Sequence, residues 1–491
     1  FEVEPVGGGS WAPKKGDILL TQKDIGGNEF YQIYALKDGK LNLLTDGKSR
    51  NTLGSWSQDG SLVGYSSTRR NGADTDLYVM DPRDPKSDRL VAQVKGGGWA
   101  IASFAPGAAR AVVVNYQSIT KADLHTLELA SGTLTPIGDH AKPIAYGAAQ
   151  YAPDGTLWVT SDEGSDFQRL GTLDTATGKF TARTSEKWDV DTFDIAPDGK
   201  FIAYVVNEAG TDRVRVLDLG TNAVRTVAAL GTGVVGGLQI AEWGAIGLTF
   251  TSARSAADAY AIDPVTLAAT RWTQSETGGL NVAVNVEPQL IEVKSFDGLA
   301  VSGFLYRPDP AKHPGKRPLI ISIHGGPEAQ STPGFQGRSN YLLNELGVAI
   351  FYPNVRGSSG YGRDFSALGE GEWGLKMQDD LNDALVWAGR SLVNPPPLHF
   401  RSHVSPPPPL LNHHVLRGVL AAFFAVGAGA ICLPPSGQRR GDGLGDGSGS
   451  AVHGHGSGPA GHVSSAFGRP GQHLRGRQAA GRGPPGNRAS A

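Results

Sequence analysis

One strand pattern recurs along the first half of this chain at a long and regular period. It appears as Gln32-Ile-Tyr-Ala-Leu-Lys37, Leu77-Tyr-Val-Met-Asp81, Leu124-His-Thr-Leu-Glu128, Leu170-Gly-Thr-Leu-Asp174, Val214-Arg-Val-Leu-Asp218 and Ala259-Tyr-Ala-Ile-Asp263. Aligning Leu36, Met80, Leu127, Leu173, Leu217 and Ile262 gives steps of 44, 47, 46, 44 and 45 residues. A repeat of this length is one supersecondary unit that buries its apolar face only against the next copy, and four strands per unit make a propeller blade. A second marker keeps the same phase: Trp56-Ser-Gln-Asp-Gly60, Phe104-Ala-Pro-Gly-Ala108, Tyr151-Ala-Pro-Asp-Gly155 and Ile195-Ala-Pro-Asp-Gly199. Asp-Gly closes a tight turn because glycine tolerates positive φ, and Pro fixes φ before it. Alternating strands such as Phe201-Ile-Ala-Tyr-Val-Val206 follow these turns. A β-sandwich would instead space its turns at about 8–12 residues with no long period. Six repeats are visible, and a seventh blade could use the strand Asp17-Ile-Leu-Leu-Thr21.

Near Glu287 the pattern changes. Gln289 to Ser295 and Ala300 to Tyr306 flank Phe296-Asp-Gly298 as a hairpin, and Leu319 to Ile323 is a short apolar run of the kind buried on both sheet faces. Ser339 to Leu346 predicts a helix, Val348 to Tyr352 a strand, and Met377 to Trp387 an amphipathic helix with Leu381, Ala384, Leu385 and Trp387 near one face. Strands alternating with helices predict a parallel, doubly wound sheet.

Charge is nearly balanced, 45 basic against 47 acidic residues, which argues against a nucleic-acid or polybasic membrane-surface role. The single cysteine, Cys432, leaves no disulfide and no cysteine metal site within the chain. Position 1 is Phe and no charged-then-apolar leader follows, which reads as a processed or partial chain. Cytoplasmic, periplasmic and secreted locations all stay open.

The chemistry concentrates after the apolar run. His324-Gly-Gly-Pro327 ends a strand with two glycines, which let backbone N–H groups approach a ligand as half of an oxyanion hole, although two glycines also suit a plain turn. Asn354-Val-Arg-Gly-Ser-Ser-Gly-Tyr-Gly362 follows the next strand, and Gly371-Glu-Trp-Gly374 leads to Asp379-Asp380. A propeller followed by these motifs resembles the prolyl oligopeptidase family of serine peptidases, closest to its acylaminoacyl-peptidase and dipeptidyl-peptidase-like branch. The resemblance covers roughly residues 15 to 393 and is strongest between 318 and 387. It implies a gated α/β-hydrolase with a Ser-Asp-His triad that cleaves short peptides or acyl-peptides beneath a propeller acting as a size filter, with no cofactor. Carried onto this chain, Gly325 and Gly326 match the oxyanion-hole turn, with the Gly326 N–H as donor. Asn354, Arg356 and Tyr361, with Gly357 and Ser358, match the loop beside the site, where packing and loop shape are expected. Ser358 sits in a turn with no strand-to-helix elbow around it.

The nucleophile is where the sequence departs from the family. No Gly-x-Ser-x-Gly occurs in the 491 residues, and from Asn394 onward there is no Lys, Glu, Tyr, Trp or Met while Gly, Pro, Ala and Arg dominate. Ser402 has no flanking glycine, and Ser405 precedes Pro406, which has no N–H to donate to an oxyanion. His453, His455, His462, His473, Asp442 and Asp446 stand in Gly-rich sequence without strand pattern, so neither a triad nor a metal site is assigned. The break reads as a frameshift, a retained intron or a gene-model error near codon 393; a natural disordered tail is the alternative. Gly418 to Leu433 is apolar but shorter than the roughly 20 residues that span a bilayer.

The expected organisation is a propeller of six or seven four-stranded blades over 15–284, the first half of an α/β-hydrolase over 285–393, and a Gly/Pro/Arg-rich disordered tail over 394–491. The expected activity is that of a serine peptidase by ancestry, lost in the chain as written. The competing reading is a non-catalytic propeller that binds peptides or a protein partner.

Overall fold

The computed structural model describes residues 6–326 and 328–391. The 394–491 segment, with Ser402, Ser405 and its histidines, aspartates and apolar run, lies outside the described residues.

Residues 9–271 form six four-stranded antiparallel sheets, each a meander in which every strand pairs with the next. They span 9–43, 51–92, 99–137, 146–182, 190–226 and 234–271. Each repeated motif is the third strand of its sheet, as in Gln32–Lys37 and Thr211–Asp218, and each Asp-Gly or Gly-Ala turn joins the first strand to the second. The strand near Asp17 is Leu19–Lys23, and it pairs inside the first sheet rather than starting a seventh. That sheet begins with Gly9–Trp11, ahead of the boundary expected at residue 15.

Side-chain alternation explains the stacking. In Phe201–Glu208, Ala203 and Val205 point into a core shared with Leu238, Ile246, Leu248 and Phe250 of the next sheet. Ile202, Tyr204 and Val206 point the other way, into a core shared with Trp158 and Leu170 of the preceding sheet. A repeat that is apolar on both faces has no stable isolated form, so the copies build one continuous propeller-like array.

The seventh sheet is different. It comprises β1 (Gln289–Lys294), β2 (Ala300–Tyr306), β3 (Leu319–Ile321) and β4 (Ala349–Asn354), in the order β1-β2-β4-β3. Three helices accompany it: α1 (Ser339–Asn344), α2 (Arg363–Ala367) and α3 (Lys376–Ser391). The β1–β2 hairpin and the β2–β4 pair are antiparallel, and only β3 and β4 run parallel, with Leu319 opposite Ala349 and Ile321 opposite Phe351. Among the described residues this is therefore a mixed sheet, less parallel than the strand–helix alternation predicts, because the hairpin contributes two of its four strands. Leu305 and Phe351 face Ala384 and Ala388 of α3, while Phe304, Tyr306 and Ile350 face Leu343 of α1. The buried stripe of α3 is Leu381, Ala384 and Ala388; Leu385, expected on that face, is 43% exposed. Among the described residues β1 and β3 are the two edges of this sheet, and Ile320 of β3 is exposed.

Candidate functional site

Because β3 and β4 run parallel, their C-terminal ends meet on one side of the sheet, where open α/β sheets place their ligand crevices. His324-Gly325-Gly326 leaves one strand and the Asn354 to Gly362 loop leaves the other. Gly325 and Gly326 are exposed, and Gly326 takes φ of 134°, a conformation that side chains resist; a Cβ there would meet the Glu328 and Ala329 backbone nitrogens at 2.7 and 2.8 Å.

The loop after β4 is held from two directions. Asn354 is fully buried; its Nδ2 donates to the Ser331 carbonyl at 2.9 Å and to the Tyr361 hydroxyl at 2.8 Å, and its Oδ1 accepts from the Ser331 N–H at 2.7 Å. The Tyr361 hydroxyl also meets Ser302 Oγ at 2.6 Å, and burial raises its pKa. Arg356 turns the opposite way. Its guanidinium bonds both oxygens of Asp380, at 2.9 and 2.8 Å, and both oxygens of Asp297, at 2.9 and 3.1 Å. The Asp380 hydrogen bonds dominate in keeping it charged, and Ser295 Oγ donates to Asp380 at 2.6 Å. The structure thus brings Asn354 and Tyr361 together and directs Arg356 away from them, onto α3 and the β1–β2 turn.

His324 and Ser358 are also joined, a contact with no sequence signal because thirty-odd residues and one helix separate them. His324 Nε2 lies 2.9 Å from Ser358 Oγ, and His324 Nδ1 lies 3.0 Å from the Gly325 carbonyl oxygen. Ser358 is fully buried, and burial lowers the His324 pKa.

The site faces the propeller-like array. The Asp166 carbonyl accepts the Arg363 N–H at 2.9 Å, Asp166 Oδ1 accepts the Asp364 N–H at 2.7 Å, and Asp189 Oδ2 accepts the Gly362 N–H at 3.3 Å. These groups meet the otherwise unpaired first N–H groups of α2. Gly362 is needed at φ of 88°, since a Cβ would strike the Asp166 carboxylate at 2.6 Å. Asn207 and Gln330 exchange amide hydrogen bonds of 2.7 and 3.3 Å across the same seam.

The seam encloses a cavity of about 270 Å³ lined by Asp162, Asp166, Asp189, Asp191, Gln330 and Arg363, among others. Four carboxylates against one guanidinium give it negative character. Burial pushes the Asp162 carboxyl up to about 6 and raises that of Asp189; burial, with Asp212 and Asp189 nearby, raises that of Asp191 well above the usual range. Sequence reading missed these propeller residues. The available signal was Asp189-Val-Asp191, two carboxylates at the start of a strand, where Asp is disfavoured. No group of three or more metal-ligating side chains occurs among the described residues, and no described helix is long and apolar enough to cross a membrane.

Comparison with known proteins gives a consistent picture. Residues 333–392 match the model of the prolyl oligopeptidase family. Dipeptidyl aminopeptidase BIII of Pseudoxanthomonas mexicana is 32% identical over 252 residues, 48% of this chain and 35% of that protein. Dipeptidyl-peptidase 5 of Porphyromonas gingivalis is 24% identical over 277 residues, 54% of this chain and 39% of that protein. The chain thus spans well under half the length of these relatives. A solved prolyl endopeptidase superposes with a TM-score of 0.67 at 17% identity, covering 79% of this chain and 59% of that one, a likeness of fold.

Proposed function

We propose that this chain belongs to the prolyl oligopeptidase family, whose model it matches over residues 333–392, that it derives from a serine-type peptidase acting on short peptides, and that the chain as written is catalytically inactive. The observation that carries this reading is the juxtaposition of the Gly325-Gly326 turn and the Asn354 to Tyr361 loop at the parallel ends of β3 and β4, with Ser359 and Gly360 of that loop lining a cavity shared with the propeller-like sheets. In this reading residues 15–284 are the propeller, 285–393 the first half of an α/β-hydrolase, and 394–491 a sequence from a shifted frame or unspliced transcript.

The roles follow from the chemistry. The exposed Gly326 N–H supplies a donor to a developing oxyanion, worth roughly 2.7–4 kcal/mol of transition-state stabilisation when a serine attacks nearby. The Tyr361 hydroxyl, fixed by Asn354 and Ser302, stiffens the wall of the same site. Arg356 anchors that wall to α3. Ser358 is no nucleophile, because its Oγ is buried and already lies 2.7 Å from the Val355 carbonyl oxygen and 2.9 Å from His324. Substrate is a peptide small enough for the seam.

Two measurements test this reading. Sequencing the transcript across the codons for Trp387 to Leu410 should reveal Gly-x-Ser-x-Gly in another frame or beyond an excised intron. Turnover of a chromogenic aminoacyl or acyl-aminoacyl substrate by the sequence-verified chain would overturn the predicted inactivity.

A further inference from the structure

We infer that the seam between the fourth and fifth sheets and the Gly360 to Asp364 segment is a proton-operated latch, closed while the carboxyls of the propeller-like side hold protons and loosened as they ionise. The latch is built on an imbalance of charge. The propeller-like side brings Asp162 and Asp166 from the 162–168 loop of the fourth sheet, Asp189 and Asp191 from the start of the fifth, and Asp212 from that sheet's third strand. The facing side brings one guanidinium, Arg363, with the Asp364 carboxylate beside it at 3.7 Å. Arg213, next to Asp212, spends its own guanidinium on the Gly231 carbonyl at 2.7 Å and on Glu208 at 3.6 Å.

The donors within reach are too few for these carboxylates. Asp162 Oδ1 accepts the Ala145 N–H at 2.8 Å, Asp189 Oδ1 the Gln168 N–H at 2.8 Å, and Asp212 Oδ2 the Val235 N–H at 2.7 Å. The remaining oxygens fare worse. Asp162 Oδ2 has Arg363 Nη1 at 3.8 Å, beyond hydrogen-bond reach, and Asp189 Oδ2 has the Gly362 N–H at 3.3 Å. Asp191 takes the Asn207 amide at 3.3 Å, a donor that also serves Gln330 Oε1 at 2.7 Å.

An ionised carboxylate drawn away from water needs donors to replace those it loses. Here the fold favours the proton instead: burial is the leading cause that raises the carboxyls of Asp162, Asp189, Asp191 and Asp212, and for Asp191 the neighbouring Asp212 and Asp189 add to it. Two crossing fastenings need no charge from these four groups. The Arg363 N–H goes to the Asp166 carbonyl at 2.9 Å, and Asn207 and Gln330 exchange amides. Protonation therefore leaves the closed seam its hydrogen bonds, whereas ionisation sets four like charges against a single guanidinium. Parting the seam admits water, which supplies the missing donors. The closed seam thus binds more protons than the parted one, so closure is complete at low pH and weakens as pH rises through about 6, where Asp162 ionises. Gly360 is gripped directly by the latch, since a Cβ there would meet Gln330 Nε2 at 2.5 Å and Asn207 Nδ2 at 2.8 Å. The next residue is Tyr361, so the latch links pH to the wall of the candidate site, whichever reaction that site performs.

The test is hydrogen–deuterium exchange of the full chain, read by mass spectrometry on peptides carrying the amides of Gly362, Arg363 and Asp364, all three of which donate across the seam. Rates are divided by the intrinsic rate at each pH. Protection of these amides should fall about tenfold or more between about pH 4 and about pH 7, while that of Phe201–Glu208 inside the fifth sheet stays level. The double variant Asp162→Asn, Asp191→Asn, which keeps an oxygen for the Ala145 and Asn207 donors, should flatten the fall. Protection that stays level or rises with pH in the wild-type chain, or a fall that the double variant reproduces, overturns the inference. Should the double variant fail to fold, Asp191→Asn alone supplies the comparison, and an unchanged fall there overturns the inference equally. Because exchange is read without substrate, failure of the peptidase reading leaves this result standing.

Discussion

The six antiparallel sheets and the seventh, mixed sheet solve the same burial problem with different reach. Each of the four inner sheets, from 51–92 to 190–226, contributes side chains to two apolar clusters, one shared with each neighbour in sequence. Its partners are always the previous and the next 45 or so residues. The mixed sheet instead joins strands far apart in sequence and holds them with a helix: Ser302 pairs with Asn354, and α3 closes over Phe351 and Leu305. Among the described residues no strand pairs with the outer side of β3, and Ile320 on β3 and Leu385 and Val386 on α3 are exposed. The contrast teaches that a repeat needs only its nearest neighbours in sequence to bury its faces, whereas a crossover sheet depends on elements far apart in the chain.

The most damaging test of this contrast is Arg356→Ala. It leaves the Asp380 carboxylate buried without its cation, at a cost of about 3–5 kcal/mol. Calorimetry should show the transition of the mixed sheet lowered or lost while that of the six sheets persists; a single transition moving as a whole would refute the independence of the two regions. Next in size is Ile202→Ala in the repeat, expected to cost about 2–5 kcal/mol. Its effect should fall on the six-sheet transition, with protease cutting in 285–391 unchanged at temperatures below it.

A third test probes the seam between the regions. Burial raises the Asp162 pKa from 3.8 to about 6, so its stabilising contribution is full below about 3.8 and is lost as pH rises through about 6. The shift of roughly two units, in which Arg363 at 3.8 Å already offsets part of the burial cost, amounts to up to about 3 kcal/mol. The wild-type thermal midpoint should fall between about pH 4 and pH 7 by more than that of Asp162→Asn; equal falls would remove Asp162 from the account. The smallest effect is expected from Ile320→Lys on the bare edge. Stability should change by about 0.5 kcal/mol or less, while sedimentation velocity should show less concentration-dependent association, since a charge blunts edge-to-edge pairing. Identical association in both proteins would mean the edge is not the contact.

The repeat was the most legible part of the fold. Leu77, Leu124, Leu170 and Val214 recur because each must fill the same place between two sheets, and period and alternation are local properties that a sequence carries openly. The hairpin, α1 and α3 were readable for the same reason. Leu385 was not, because helical periodicity places it within reach of the apolar stripe and only the docking angle of α3 decides that Leu381, Ala384 and Ala388 are covered instead. The choice between six and seven blades was not legible, because a strand's partner is a long-range choice: Leu19–Lys23 pairs with Gly9–Trp11 and Gln32–Lys37 within the first of six sheets.

In the candidate site, two glycines at a strand end marked Gly325 and Gly326, and the resemblance to a peptidase family singled out Asn354, Arg356 and Tyr361 in the loop beside them. The partners of those residues were invisible. Asp380 for Arg356, Ser331 for Asn354, Ser358 for His324 and the Asp162 to Asp191 carboxylates across the seam all lie far from them in sequence or on another sheet. The sequence by itself determined the repeating sheets, the change of architecture near Glu287 and the residues able to line a site, because periodicity, turn chemistry and glycine act over a few residues. Only the tertiary structure decided what those residues touch, because hydrogen-bond direction, burial and the resulting pKa shifts depend on which distant backbone and side-chain groups the closed fold brings within about 3 Å.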